Sequence, residues 1–493
     1  MIERHALAAL LALILFHPAP PAFGQGQPLS ASDWLSGSVR GPQRETSAWR
    51  PGDEPPPGPD TMSRQPVAAS GEVGPVLVTR LDQGNPDGAG TMSPRRAGLP
   101  ADLWAGSDPA ELSALLLQTP ARLQSMQALM RRVLTAQLAP PQIDGAPDPQ
   151  GRLFMARVDR LLDMGALDEA QSLLLAAGVG NPEIFRRLFD IALLEGDEHR
   201  ACRIMNSTPG IAPSFPARIF CLAQTGDWAA AAISLHGAES LGLIDERQAI
   251  LLTHFLDDAF VDGGETLVPA DRVTPLEFRI HEAIGQPLPT STLPVAFAQS
   301  DLRPNSGFKA RLEAAERLAR SGALGPLRLR AIYGEQRPAA SGGVWERASA
   351  MRTLEAALQS GDLAQALPRA FDEFAAAGMA DLLAAMVGAD LPDHYPGDTR
   401  TAEIITLLRQ WRGLTGTEPP EPAPELAADP PEPPQSARGE ALLLAMADID
   451  AALEGDLARA GRGIAMLRAL GLTEDARRAE QQITLLPRMT GTP

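Results

Sequence analysis

The sequence predicts an all-α protein: an α-solenoid of helical hairpins, with a disordered N-terminal region before it and a Pro-rich linker near its end. Three observations carry the prediction. Apolar residues recur at three- and four-residue spacings over most of the chain. Alternating strand patterns are nearly absent. A Gly-Asp or Gly-Ala step returns between helices at intervals of about thirty residues. Among the 493 residues, 44% are apolar and only 4% aromatic, so a sizeable core is possible. Gly (44) and Pro (46) together approach a fifth of the chain, which points to unstructured stretches. With 43 Lys+Arg against 61 Asp+Glu the net charge is −18, and this argues against nucleic acid as a partner, because phosphates need clustered cations. Lys309 is the single lysine.

Residues 1–24 read as a signal peptide. Arg4 and His5 precede an apolar run from Ala6 to Phe16. That run has the length of a signal-peptide core and is too short for a helix across a bilayer of about 30 Å. Pro18, Pro20 and Pro21 break it, and Ala22-Phe23-Gly24 places cleavage after Gly24. An uncleaved membrane anchor is the alternative. No later apolar run reaches about 18 residues, so the mature chain is expected to have no transmembrane span and to be periplasmic.

Residues 25–100 form a Pro/Gly/Ser-rich arm that cannot bury enough apolar area to order itself. Two islands interrupt it. Trp34-Leu35 in an amphipathic stretch is a candidate docking motif, or else a stray apolar pair in a tail. Pro75-Val-Leu-Val-Thr79, within Val73 to Leu81, has strand composition without a partner.

Residues 101–413 read as helix after helix. The periodic segments are Glu111–Leu117, Arg122–Leu138, Leu153–Met164, Glu183–Leu194, Phe278–Ile284, Lys309–Arg320, Trp345–Leu358 and Ala402–Trp411. Within this region Cys202 and Cys221, the only cysteines, fall on two consecutive helices, Glu198–Asn206 and Pro216–Gln224, equidistant from the turn between them. A disulfide across that hairpin is geometrically open and export favours it. Two buried free thiols are the alternative. Residues 414–436 form an acidic Pro-rich linker. Its stretch Glu418–Pro434 holds eight prolines and five acids and would reach about 50 Å if extended. Residues 437–493 are a last helical block, too small to be comfortable alone, and are expected to dock on the helices before them.

The recurrent step sits at Gly165, Gly196 and Gly226, and again at Gly361 and Gly455, with a weaker instance at Ser321-Gly322. In Thr225-Gly-Asp-Trp-Ala-Ala-Ala231 and its counterparts, Gly ends one helix in a left-handed cap and Asp starts the next. An Ala five residues after the Gly lets two helices cross closely. These segments resemble the tetratricopeptide-type helical repeats, with a period near 31 and without the family's Trp and Tyr positions. The resemblance implies a concave surface that holds a peptide or partner protein. The chain also resembles a set of exported alphaproteobacterial proteins, on Ala217-Arg-Ile-Phe-Cys-Leu-Ala223 and Arg337-Pro-Ala-Ala-Ser-Gly-Gly-Val-Trp345. That resemblance carries no activity with it.

No pattern names a reaction. HExxH, Gly-x-Ser-x-Gly, the phosphate-binding GxxxxGK[ST] and CxxC are all absent, and the histidines are scattered, so no catalytic residue, metal or cofactor is expected. One loop suits an anion or peptide: Arg337, Ser341, Gly342, Gly343, Trp345 and Arg347 would combine backbone N–H groups at a helix start with two guanidinium groups and an aromatic wall. The plainer reading is a Gly-rich helix start with Trp345 in the core. The expectation is a non-enzymatic periplasmic scaffold that binds envelope proteins or peptides. The alternatives are a cell-wall hydrolase with a degenerate site at Glu239, or a small-ligand binding protein.

Overall fold

The computed structural model describes residues 34–35, 85–143, 146–147, 151–178, 181–208, 210–257, 266–414, 421–432, 434 and 436–490. The signal peptide, most of the arm and the strand-like segment at 73–81 lie outside the described residues. The described residues form 21 α-helices, several 3-10 turns and one two-residue antiparallel ladder, β1 (Gln142–Ile143) with β2 (Ala146–Pro147). The protein is all-α. No helix among the described residues is long and apolar enough to cross a membrane.

Order begins before residue 100, inside the stretch expected to be disordered. Helix α1 (Pro94–Ala97) is capped by the Ser93 side chain and closed by Gly98 in the left-handed conformation. Ahead of it, Asn85 caps a 3-10 turn, Pro86–Gly88. The composition of 85–100 is indeed poor in apolar residues; long-range hydrogen bonds order it instead. Helices α2 (Pro109–Gln118), α3 (Gln124–Thr135) and α4 (Arg152–Asp163) pack together behind it. The α4 residue Arg157 is fully buried and donates to the carbonyls of Leu134, Asp87, Ala89 and Ala136 at 2.8–3.2 Å. Asp87 Oδ1 accepts from Phe154 N at 2.6 Å, at the start of α4, where Gly151 offers no cap.

From α5 (Leu167–Ala177) the chain enters a lobe of consecutive hairpins: α6 (Pro182–Glu195), α7 (Glu198–Ser207), α8 (Phe215–Gln224), α9 (Trp228–Ser240), α10 (Glu246–Leu256) and α11 (Pro275–Ala283). Local chemistry sets each start. Asn181 caps α6 ahead of Pro182, and Ser214 caps α8. Reciprocal capping boxes, Asp245 with Gln248 and Thr274 with Glu277, open α10 and α11. Each helix packs on the next, and α11 returns to α6. The lobe has its own core around Phe185, Phe189, Phe220 and Leu252. Cys202 of α7 and Cys221 of α8 are disulfide-bonded inside it, Cα–Cα 4.9 Å. Arg187 of α6 reaches Asp159 of α4 with two bonds of 2.6 and 2.9 Å and fixes the lobe to the preceding helices.

Beyond the short α12 (Ala298–Asp301), helices α13 (Phe308–Arg320), α14 (Pro326–Glu335), α15 (Val344–Ser360), α16 (Ala366–Ala376), α17 (Ala380–Val387) and α18 (Thr399–Arg412) again pack on their sequence neighbours. Gly165, Gly196, Gly226, Gly322, Gly361 and Gly455 all have φ between 78° and 90°, where a β-carbon is strained. These are the six glycines of the recurrent step.

The final block is α19 (Arg438–Asp450), α20 (Leu457–Ala469) and α21 (Thr473–Met489). It packs on the front of the chain: α19 on α2, and α21 on α3 and α18. Arg122 N donates to Asp450 Oδ1 at 2.8 Å, and its guanidinium pairs with Asp450 and with Glu454 at 2.5 and 2.8 Å. Gln482 Oε1 accepts from Ser125 N at 2.9 Å, and Gln481 Nε2 donates to Gln410 O at 2.6 Å. The described part of the acidic linker is not an extended spacer. Its turn Pro424–Leu426 lies on α20, with Leu426 fully buried. A β-carbon on Gly461 would stand 2.9 Å from Leu426 O, so the contact needs glycine there. Leu426 is the one large apolar residue between 418 and 434, and its burial offsets the linker's preference for water.

Candidate functional site

Residues 98–132 and 471–482 meet at a cavity of about 660 Å³. Its walls come from α3, the α13–α14 turn, α17, the end of α18 and the beginning of α21. Arg131 and Arg132 leave α3 side by side, and Arg412 and Arg478 come from α18 and α21. Glu474 and Asp475 are the carboxylates in the lining. Four guanidinium groups thus face two acids, in a chain whose net charge is −18.

The partners of these arginines differ. Arg131 donates to Gly322 O at 3.0 Å and pairs with Glu169. Burial holds its guanidinium below the ordinary arginine range. Arg132 donates to Ala97 O at 2.7 Å and pairs with Asp475, whose carboxyl burial pushes up despite that neighbour. Arg478 donates to Arg412 O. Burial, then the nearby Arg477 and Arg412, press it downward. The Arg412 guanidinium has no hydrogen-bond or ion-pair partner among the described residues, and its Nε is buried and unsatisfied.

Three helix starts also border the cavity. Helix α21 begins at Leu472 without a side-chain cap, and the N–H groups of Thr473, Glu474 and Asp475 have no acceptor among the described residues. Helix α14 begins at Gly325-Pro326, again without a side-chain cap. Helix α3 begins at Leu123, where Gln482 takes the Ser125 N–H. The Ser125 side chain is 6% exposed and its Oγ has no partner. Leu324, Pro326, Leu382, Leu472 and Trp411 supply apolar wall. No local pattern marks this site, because its groups lie up to about 350 residues apart in sequence. The only local hint was the Arg131-Arg132 doublet in an acidic chain.

The residues singled out in sequence are placed as follows. In the Arg337–Arg347 loop one of the two arginines is already paired within the protein. Arg347 is committed to Glu316, with bonds of 2.8 and 2.7 Å, and Glu316, 3% exposed, also accepts from Tyr333 Oη at 2.8 Å. Gly342 N donates to Glu346 Oε1 at 3.4 Å, and the N-cap residue Gly343 brings no side-chain cap. Arg337, Ser341, Gly342 and Gly343 are exposed, and Gly342 and Gly343 have φ of 89° and 55°, which is why glycines stand there. Trp345 is half-buried against Phe308, ring centroids 5.8 Å apart. Arg347 is thus committed, while Arg337 and the amides of Gly343 and Val344 have no hydrogen-bond partner among the described residues.

Trp34 and Leu35 are not free in this structure either. They are 1% and 3% exposed, inside the protein's own core. Trp34 meets Phe297 edge-on at 5.6 Å, and Phe297 meets Phe278 at 5.4 Å. An indole buries 150–250 Å² when it docks, and here an aromatic cluster of the same chain offers that burial. Glu239 lies at the exposed end of α9, 3.7 Å from His236 Nδ1. Comparisons with protein-family models, curated proteins and solved structures return no match.

Proposed function

We propose that this chain is an exported, non-enzymatic helical-repeat scaffold of the tetratricopeptide-like type, acting in the periplasm by binding envelope proteins or peptides. The left-handed glycines and the neighbour-on-neighbour packing of α6 to α11 support the α-solenoid reading. The disulfide suits an oxidising compartment. One observation carries the binding role. On α9, Ala229, Ile233, Gly237 and Leu241 follow one another at four-residue spacing on the face turned from the core. Ile233 and Leu241 are 75% and 74% exposed; Trp228 at the start of α9 and Ile250 on α10 are 50% and 44% exposed. An uncharged ridge with a glycine notch is the geometry against which another helix packs.

The test is crosslinking in intact cells from a photoreactive residue at position 237, with Ile233→Asp as the control. A stoichiometric envelope partner that Ile233→Asp abolishes, at unchanged melting temperature, supports the scaffold. Recovery of no partner, or of one indifferent to Ile233→Asp, removes the ridge from the function.

A further inference from the structure

We propose that the cavity between α3, α14, α18 and α21 binds a small organic anion, a molecule carrying a phosphate or carboxylate group on an apolar body. Three independent features point to it. The first is an unspent charge: Arg412 brings a guanidinium without a partner, beside Arg478, whose own charge it presses upon. An anion between the two would relieve that repulsion and gain charge-assisted hydrogen bonds. The second is a set of unspent donors. The first-turn amides of α21 are open, and the positive end of its dipole faces the cavity. The two acids of that turn are occupied elsewhere: Asp475 by Arg132, and Glu474 by Arg477 at 2.5 and 2.9 Å. The third is Ser125, nine-tenths buried with an idle hydroxyl at the same cavity. A buried hydroxyl without a partner costs stability unless something fills its need.

The size excludes a bare ion as the natural fit. About 660 Å³ lies within the range of pockets that take metabolite-sized molecules. Leu324, Pro326, Leu382 and Leu472 provide a surface for carbon rather than for water. The acidic group would sit against Arg412 and the start of α21, and the carbon body against these residues. Since α3 and α21 belong to opposite ends of the chain, the ligand would also clasp the final block to the front helices.

The full-length protein is titrated by calorimetry and thermal shift with inorganic phosphate, glycerol 3-phosphate and a medium-chain fatty carboxylate, against sodium chloride of matched ionic strength. Arg412→Gln and Ser125→Ala are compared with the parent. Neither substitution breaks a hydrogen bond of the changed atoms in this structure, and if one variant fails to fold the other decides. The expected result is saturable binding of at least one organic probe, weakened about tenfold by Arg412→Gln and several-fold by Ser125→Ala. Hydrogen exchange should slow at residues 471–478 on binding. The phosphate and carboxylate arms then tell which head group is preferred. Inorganic phosphate binding as tightly as both organic probes refutes the apolar half of the proposal. No saturable binding up to about 10 mM, a response matched by chloride, or binding unchanged in both variants overturns the site.

Discussion

Replacing Arg157 by methionine tests what orders the front of this protein. The guanidinium lies fully buried and serves four carbonyls, those of Leu134, Asp87, Ala89 and Ala136. At about 1.5 kcal/mol for each charge-assisted bond, their loss would cost about 6 kcal/mol. Against that stands the burden of burying the charge. Burial pulls Arg157 down from its ordinary value to about 10, which at ~1.36 kcal/mol per pH unit is roughly 3 kcal/mol that methionine recovers. The expected net loss is therefore about 3 kcal/mol. Fully buried Asp87 would also lose a neighbouring positive charge, which raises the figure rather than lowering it. The sign with pH follows from the same values. Below about pH 9 the group is protonated both folded and unfolded, so the loss should be flat from pH 5 to 9. Urea unfolding measures the magnitude. Trypsin cleavage after Arg95 and Arg96 measures the place, because residues 85–92 should come loose before the rest. Arg157→Lys, with three donors for four carbonyls, should fall between the two. A loss under about 1 kcal/mol, with an unchanged cleavage pattern, would refute this account of why residues 85–100 are ordered.

Other expectations follow from single sites. Reducing the Cys202–Cys221 bond, which joins residues 19 apart, should cost about 3 kcal/mol and lower the melting temperature, as a scan with and without reductant would show. Burial, then Asp168 and Asp197, pushes Glu195 up to about 7. A carboxyl raised on folding loses stability as pH climbs from its unfolded value through 7, so Glu195→Gln should stabilise at pH 8 and be neutral at pH 4. Partial exposure trims that gain to about 1 kcal/mol, readable by urea unfolding at both pH values. Glu316→Ala should strand Arg347 and the Tyr333 hydroxyl and cost about 3 kcal/mol, whereas Tyr333→Phe should cost about 1 kcal/mol. Gly461→Val should expel Leu426 and open residues 421–432 to protease without unfolding the remainder.

Much of the helical framework was legible because its causes are local. Lys309–Arg320 was read from spacing, and the helix spans Phe308–Arg320; Glu183–Leu194 lies inside Pro182–Glu195. The glycines of the recurrent step announced left-handed caps, since few other residues tolerate them. The cysteines could be paired because they straddle one turn. What escaped has distant causes. Residues 85–100 look like linker by composition, yet Arg157 lies 70 residues from Asp87 and 68 from Ala89 in sequence. Trp34 was legible as something that docks, but not that Phe297 receives it. In the Arg337–Arg347 loop the residue types were right for an anion. Glu316 had already claimed Arg347, and a sequence does not show which arginines are spent. Arg412 is the converse: nothing near it in sequence marks it as idle.

The contact of α19 and α21 with α2 and α3 fixes an order of events. A polypeptide made from its N-terminus completes α2 and α3 more than 300 residues before the segments that cover them exist. Until then the faces of α2 and α3 on which α19 and α21 pack stay open. Closure must bring together residues 328 to 357 apart, a high contact order that slows assembly. A prematurely terminated product would lack that seal, leaving a sticky surface by which quality-control proteases could tell partial chains from whole ones.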